Sequence, residues 1–117
     1  MKPICFYQPG GEADCLRATA WTRGPWSFEH QHGGPPAALL ARAVEKARSE
    51  PEFAVVCFTV EFLRPVPIGP VRVGVESLKR GCTVECHTAR LWSGKILLLA
   101  ATALCLRRRT PAVAGGT

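Results

Sequence analysis

One long helix is predicted by the segment Pro35-Pro-Ala-Ala-Leu-Leu-Ala-Arg-Ala-Val-Glu-Lys-Ala-Arg48. Its two prolines stand where a helix begins, strong helix formers follow, and Pro51 comes after the predicted end. An apolar stripe at helical spacing runs along the segment and consists of Leu40, Ala43, Val44 and Ala47. Such a stripe requires a sheet to pack on.

The sheet is predicted downstream of this helix. Residues Phe53 to Arg64 alternate in the manner of a half-buried strand, with Thr59 and Glu61 on one face. The opposite face is expected to carry Val56, Phe58, Val60 and Phe62. After the break at 65–70, strands are predicted over Val71 to Lys79, Cys82 to Trp92 and Lys95 to Leu106. These strands predict an antiparallel meander packed against the helix, in the order β-α-β-β-β.

The two ends of this region carry weaker signals. Short N-terminal strands are predicted at Ile4 to Tyr7 and at Ala18 to Trp21. The nearly continuous apolar run Ile96 to Ala101 predicts a strand that is buried on both faces or lies at a subunit contact. A central strand in a well-covered sheet explains that run equally well.

Length and composition indicate one folded domain. The chain has 117 residues, of which 47% are hydrophobic and 21% charged, an ordinary balance for a globular domain. We expect a single domain over residues 1–110. The segment 111–117 has the composition of a flexible tail or the start of a linker.

Several classes of protein are disfavoured by the sequence. No apolar run has the roughly 20 residues of a membrane-spanning helix, so no membrane partner is expected. The N-terminus has no apolar stretch of signal-peptide length, so the cytoplasm is the default location. In that compartment the six cysteines are expected to be reduced thiols. The net charge of +6 suits any anionic ligand, but the strands lack the aromatic and basic alternation of a nucleic-acid module.

The segment Arg23-Gly-Pro-Trp-Ser-Phe-Glu-His-Gln-His-Gly-Gly-Pro-Pro-Ala-Ala-Leu-Leu-Ala-Arg-Ala-Val-Glu45 resembles the signature of thioesterase-like hotdog proteins. Thr59-Val-Glu-Phe-Leu-Arg-Pro-Val-Pro-Ile-Gly-Pro70 is similar to the family's strand and turn, and the resemblance spans roughly residues 18–107. It implies an α+β hotdog fold, in which a curved antiparallel sheet wraps one central helix. It further implies the N-terminal half of a double-hotdog acyl-CoA thioesterase-like protein, with acyl-CoA or a related thioester as ligand and a homodimer formed through the sheet edge.

Candidate site residues lie at the start of the helix. Backbone N–H groups at a helix N-terminus suit a developing oxyanion, so the amides of Gly33 and Gly34 are candidates for binding the thioester carbonyl. His32 is a candidate positioning group or general base, and Glu61 is a candidate carboxylate. Equally consistent with the sequence, the glycines form a tight loop, His32 is structural, and Glu61 pairs with a neighbour such as Arg72.

The resemblance also has a gap. Related single-hotdog thioesterases carry an acidic residue nine positions after the histidine of His-Gly-Gly, and this chain has Ala41 there. The nearest carboxylate on the helix is Glu45, which is more typical of a surface residue paired with Arg42 or Arg48. In double-hotdog enzymes the acid, amide and hydroxyl groups lie largely in the second half. A non-catalytic binding or assembly domain is therefore a second hypothesis, and a hotdog dehydratase a third.

Three further groups of residues have side chains of the kind that bind ligands. Phosphate contacts are open to Arg64, Lys79, Arg80 and Arg107 to Arg109. The tryptophans Trp21, Trp26 and Trp92 are more typical of core than of an acyl pocket. Neither His30-Gln-His32 nor Cys82-x3-Cys86-His87 has the spacing of a zinc site, so neither a metal nor a cofactor is expected.

Overall fold

The helix α1 spans Gly34–Ala47 in the computed structural model, which describes residues 6–11, 15–25 and 29–108. It begins and ends one residue before the predicted limits. Its buried side is formed by Pro35, Pro36, Leu40 and Val44. Leu40 and Val44 of the predicted apolar stripe are therefore buried, whereas Ala43 and Ala47 are half-buried. The hydrogen-bonded turn starts at Gly33, and Pro35 and Pro36 occupy the first turn, where a missing N–H costs no helical bond.

Six antiparallel strands in the described part of the chain form one curved sheet around this helix. They are β1 Tyr7–Pro9, β2 Cys15–Ala18, β3 Phe53–Phe62, β4 Pro70–Arg80, β5 Val84–Ser93 and β6 Ile96–Arg107. Their order across the sheet is β1-β2-β4-β5-β6-β3. One helix held by a curved antiparallel sheet is the hotdog arrangement, so the predicted fold class is confirmed.

The position of β3 differs from the predicted meander. Of the four strands predicted to form the meander, β4, β5 and β6 follow one another as neighbours. β3 instead pairs with β6, the last strand, in a register that sets Phe53 opposite Arg107. The proline-rich segment 65–69 carries the chain away from β3 to the far half of the sheet, where β4 pairs with β2. As a result, β3 is an edge strand.

A β-bulge in β3 overturns one predicted face. The register against β6 shifts between Val55 and Cys57, so Val56 turns outward and is 53% exposed. Phe53 and Val55 before the bulge, and Phe58 and Val60 after it, contact the core. Strict alternation placed Val56 with Phe58 because a sequence pattern of period two does not register an extra residue in a strand.

Two N-terminal predictions also change. The predicted strand over Ala18 to Trp21 is wrong, because β2 ends at Ala18 and Ala20–Thr22 form a 3₁₀ turn. Thr19 caps this turn by accepting a hydrogen bond from the Trp21 amide at 3.3 Å. Of the predicted strand over Ile4 to Tyr7, only the last two residues are described, and Tyr7 opens β1. The tail 111–117 lies outside the described residues, so the domain limits stay predictions.

The core lies between α1 and the inner face of the sheet. The inner face of β6 is fully buried, through Leu99, Ala101, Ala103 and Cys105. Its outer face is only partly covered in the single chain, since Ala100 and Leu104 are half-buried, whereas Thr102 and Leu106 are exposed. Burial of β6 on both faces, one of the predicted alternatives, therefore does not hold within the chain.

The helix found in the described residues lacks the length and apolar character needed to cross a membrane.

Candidate active site at the helix N-terminus

The segment leading into α1 is held by backbone hydrogen bonds to two separate loops. On one side the His32 amide donates to Thr22 O at 2.9 Å, and the Gly24 amide donates to His30 O at 3.0 Å. On the other side the Gln31 amide donates to Val66 O at 2.7 Å. The residues before the helix thus form a short extended bridge between the 3₁₀ turn and the loop after β3. This bridge fixes the direction in which the chain enters α1.

The side chain of Gln31 holds this bridge in place through two hydrogen bonds. Its side chain is 5% exposed, accepts a hydrogen bond from the Tyr7 hydroxyl at 2.5 Å and donates to Pro67 O at 2.8 Å. Burial raises the pKa of Tyr7 well above its usual value, so the phenol keeps its proton and remains a donor. Both polar ends of the buried amide are therefore satisfied, and Gln31 alternates with the outward-facing His30 and His32.

A glycine allows His32 to take this position. A Cβ built on Gly24 would lie 2.8 Å from both Cβ and the backbone N of His32, closer than any side chain tolerates. The Gly24 in the Gly-Pro-Trp motif is therefore required by the close approach of two backbone segments. The rest of that motif, Trp26 to Phe28, lies outside the described residues.

A cavity of about 560 Å³ opens beside the start of the helix. Its wall combines the bridge before α1 with the end of β3 and the loop that follows. The lining residues are His30, Gln31, His32, Gly33, Pro36, Phe62, Leu63, Arg64, Pro65 and Val66. Its size falls within the range of small-molecule pockets, and its wall is mostly apolar with a few polar groups, as in such pockets.

The polar end of the cavity is the N-terminus of α1. Gly33 and Gly34 are exposed, and in the described part of the chain their amides donate to no other protein group. Pro35 and Pro36 carry no N–H, so these glycine amides are the donors left at the positive end of the helix dipole. Carbons of the His32 and Phe62 rings lie near Gly34 and Gly33, respectively, since a Cβ built on each glycine would lie 3.2 and 3.3 Å from them.

Three of the four predicted catalytic residues thus come together. His32 and Gly33 line the cavity, and Gly34 follows directly. Glu61 does not line it: this side chain is exposed and lies opposite Ala100 of β6. Its suggested pairing with Arg72 is wrong, because Arg72 lies on β4, three strands away, with its guanidinium 5.5 Å from the ring centre of Trp92.

The helix surface offers no carboxylate to the cavity. Ala41 and Glu45 lie along the exposed side of α1 with Arg42, away from His32. The suggested ion pair between Glu45 and Arg48 does not form, because the Arg48 guanidinium donates instead to the backbone oxygens of Glu45 and Phe53, at 2.8 and 2.5 Å. Arg48 therefore links the C-terminal end of α1 to the start of β3.

The candidate phosphate ligands separate in space. Arg64 lines the cavity, whereas Lys79 and Arg80 lie at the end of β4. Arg107 is engaged by the Glu50 carboxylate through two hydrogen bonds of 2.9 and 3.1 Å. These contacts lower the pKa of Glu50 and raise that of Arg107. Arg109 lies outside the described residues.

The two tryptophans in the described part of the chain lie away from the cavity. Trp21 is 59% exposed and Trp92 lies under Arg72, so neither lines the cavity. Phe62 lines it instead. The sequence pattern assigned Phe62 to the core, and only the position of its ring beside Gly33 reveals its place at the cavity.

A second polar cluster was missed by sequence analysis. Glu85 and His87, which are 1% and 0% exposed, lie on the inner face of β5, at the opposite end of α1 from the cavity. The signal for them was present: both occupy inward positions of a strand that continues with Ala89 and Leu91. The spacing in the sequence groups His87 only with Cys82 and Cys86. Over residues 6–11, 15–25 and 29–108, no three His, Cys, Asp or Glu side chains come together as metal ligands.

Comparison with known proteins assigns the chain to a family. Residues 22–107 match the acyl-CoA thioesterase N-terminal domain family, and this match covers most of the chain. The protein belongs to this family and is an acyl-CoA thioesterase-like hotdog protein. The assignment favours a thioesterase over a non-catalytic assembly domain. The expectation that the chain is one half of a double hotdog stays a prediction.

Solved structures with the same fold are distant in sequence. A conserved protein of Pseudomonas aeruginosa is 19% identical, with a TM-score of 0.71, over 80% of this chain and 78% of that one. The Escherichia coli PaaI protein of the phenylacetic acid degradation operon is 17% identical, with a TM-score of 0.71, over 81% and 70%. A Thermus thermophilus thioesterase, solved with coenzyme A and zinc, is 16% identical, with a TM-score of 0.69, over 81% and 77%. No curated protein sequence matches this one.

Proposed function

We propose that this protein hydrolyses acyl-CoA thioesters in the cavity at the N-terminus of α1. The observation that carries the proposal is the pair of exposed glycine amides, Gly33 and Gly34, at the positive end of a helix whose next two residues are prolines. A thioester carbonyl bound there gains negative charge in the transition state, where such donors stabilise it most. The family assignment supports the same substrate class.

His32 is the proposed base of this reaction. Its imidazole lines the cavity, and within the described residues it forms no hydrogen bond to another protein group. Water would lose a proton to the imidazole as its oxygen attacks the carbonyl carbon, and the carbon–sulfur bond would then break. The same proton passes to the departing CoA thiolate, so water and thioester give a carboxylic acid and a free thiol.

A homodimer joined through β3 is the second part of the proposal. β3 is an edge strand of ten residues, and unpaired edges of this length are usually covered. Exposed apolar side chains follow this edge, with Val56 at 53%, Phe62 at 53% and Leu63 at 51%. Glu61 lies on the same strand. We propose that it acts across the pair, as a carboxylate directed at the partner's cavity.

The CoA moiety would bind beside the cavity, with Arg64 as the proposed contact for a phosphate. The Thermus thermophilus thioesterase solved with coenzyme A supports a CoA ligand in this fold. Nucleic acid and membrane partners form no part of the proposal, and neither does a cofactor. A cytoplasmic setting agrees with Cys57, Cys82, Cys86 and Cys105, which form no disulfide within the described residues.

The test is chromatographic measurement of free CoA released from short, medium and long acyl-CoAs by the wild-type chain and by Gly34→Val. A side chain at Gly34 would meet the His32 ring at 3.2 Å and obstruct the carbonyl site, so we expect a loss of about 10²-fold in hydrolysis. The matched control is Gly74→Val, because a Cβ at Gly74 meets nothing within 4 Å.

The control variant should keep the wild-type rate. The proposal fails if a folded wild-type dimer releases no CoA from any chain length, or if both valine variants lose activity equally. Direct binding of acyl-CoA to the inactive but folded chain would then show whether the cavity binds the ligand without hydrolysing it.

A further inference from the structure

A buried chain of hydrogen bonds connects β4, β5 and the end of α1. His87 lies at its centre, with Nδ1 2.9 Å from the Ser77 hydroxyl and Nε2 3.1 Å from the Glu85 carboxylate. The Glu85 Oε1 that faces His87 also accepts a bond from the Ser49 amide at 3.2 Å, and Oε2 on the far side accepts a bond from the Ser49 hydroxyl. The order is therefore hydroxyl, imidazole, carboxylate, hydroxyl.

The chemistry of the carboxylate determines the direction of these bonds. Hydrogen bonds from Ser49 and His87 outweigh the burial that opposes them and hold the pKa of Glu85 below its usual value, so this group only accepts. The His87 Nε2 must therefore carry a proton. When the ring is neutral, Nδ1 has a lone pair, and the hydroxyl facing it is that of Ser77. A serine hydroxyl thus donates to a base that a carboxylate orients.

Backbone geometry brings Ser77 to this base. Ser77 is paired with His87, but the next pair is Lys79 with Cys86, so Leu78 is an extra residue in a β-bulge. Bulges redirect side chains and are frequent beside active sites. Leu78 is 57% exposed, and Ser77 is only half-buried. Ser77 is therefore the point at which the base, itself fully buried, is reached from the surface.

This cluster is separate from the cavity. Ser49 follows the C-terminal end of α1, whereas the cavity lies at its N-terminus, and a helix of 14 residues is about 21 Å long. Three further ionisable groups surround the cluster. Cys105 of β6 lies opposite Glu85, Arg48 carries a charge near that thiol, and Arg80 donates to Ala47 O at 3.4 Å.

We propose that Ser77, His87 and Glu85 form a second acyl-transfer site, with Ser77 as nucleophile, His87 as base and Glu85 as its orienting group. The substrate class is an activated acyl ester or thioester. The Ser77 oxygen attacks the carbonyl carbon, its proton moves to His87 Nδ1, and the bond to the leaving alcohol or thiol breaks. The leaving group takes up that proton, which gives an acyl-serine and a free alcohol or thiol. The site does not depend on hydrolysis at the cavity.

The test is phosphonylation of the wild-type chain by a fluorophosphonate, with the modified serine identified by peptide mass spectrometry. In this reaction an oxygen–phosphorus bond replaces the phosphorus–fluorine bond, and fluoride leaves. We expect Ser77 to be modified and Ser93 not. The Ser77→Ala variant should lose the adduct yet still release CoA from acyl-CoA, because Ser77 is not part of the cavity. Ser49→Ala should still be modified at Ser77.

The role of the base is tested by His87→Gln, in which modification of Ser77 should slow by about 10²-fold or more. Since this substitution also removes a buried ring, the pH profile of the wild-type chain gives an independent measure. The rate should rise as the imidazole loses its proton and then level off, whereas a plain serine shows no plateau.

A third measurement uses Ser77→Cys, which keeps the geometry and introduces a thiol. Beside His87 this thiol should react with iodoacetamide at pH 6 faster than the exposed Cys82 of the same chain. Two results would overturn the proposal: Ser77 is modified no faster than Ser93 in the folded wild-type protein, or the two thiols are alkylated at the same rate. The cluster would then be a structural link between α1 and the sheet.

Discussion

Gly24 and His32 are in backbone contact, at a distance that excludes a side chain on the glycine. A methyl group at Gly24 would lie 2.8 Å from the His32 amide nitrogen and must push the two segments apart. We predict that Gly24→Ala displaces His32 from the cavity and lowers acyl-CoA hydrolysis by about 10- to 100-fold, since misplacement by about 1 Å costs this much. CoA release under saturating substrate is the measurement.

The matched control is Gly74→Ala, where a methyl group has open space. Thermal unfolding of both variants separates a displaced histidine from general destabilisation. Full activity in a folded Gly24→Ala chain would contradict the role given to His32.

The exposed edge of β3 gives a prediction about assembly. Replacing Val56 with lysine places a charge on an edge strand, a substitution that opposes pairing between edges. We expect the solution mass to fall from about twice 12.7 kDa to the value of one chain, measured by light scattering after gel filtration. The control is Ile96→Lys, equally exposed at 52% but at the β5–β6 hairpin. A dimer that survives Val56→Lys and is lost in Ile96→Lys would place the interface elsewhere.

Glu85 is predicted to control stability in acid. Burial raises its pKa, but the hydrogen bonds from Ser49 and His87 prevail, and the pKa in the folded chain is lower than the ordinary 4.5. The folded chain then binds this proton more weakly than the unfolded chain. Its stabilising effect is therefore complete above the unfolded value and is lost as the pH falls through the folded value.

The variant Glu85→Gln should lose roughly 1–3 kcal/mol of unfolding free energy at pH 7 and show a flatter decline below about pH 5. Urea unfolding across this pH range is the measurement, with Glu45→Gln on the exposed side of α1 as control. An unchanged acid slope in Glu85→Gln would show that other carboxylates cause the decline.

The packing of α1 predicts a difference between two adjacent leucines. Leu40 is fully buried against the sheet, whereas its neighbour Leu39 is half-buried. Leu40→Ala should cost about 2–5 kcal/mol of unfolding free energy, because it leaves a cavity in the core. We expect a clearly smaller cost for Leu39→Ala in the same denaturant measurement. Equal losses would mean that the helix presents a different side to the sheet.

Local patterns predicted the elements, and pairing decided their arrangement. Leu40 and Val44 marked the buried side of α1 correctly because helical spacing depends only on the helix itself. The strand over Phe53 to Phe62 was also recognised, but its neighbour was not, since the sequence contains no record of whether a strand returns beside the next strand or the last one. The period-two pattern also gave no indication of the bulge at Val56.

The part of the candidate site that lies in one sequence motif was predicted, and the part formed by residues distant in the sequence was missed. His32, Gly33 and Gly34 are consecutive, so one loop was enough to find them. Phe62 and Arg64 come from the other side of the helix–sheet interface and join them only after folding. Ser77 and Glu85 share a contact with one imidazole across two strands, a relation that neither residue reveals alone.

The pairing of β3 with β6 has a consequence for the order in which the chain folds. During synthesis α1 and β3 appear before β4, β5 and β6, yet β3 pairs with β6, the last of these strands in the sequence. The hairpins β4–β5 and β5–β6 close over short loops, whereas β3 must wait until residues 96–107 are available, and closing this longer loop costs more chain entropy. Until then the apolar side of β3 has no strand to cover it, and this newly made segment is the part of the chain most exposed to association with other chains.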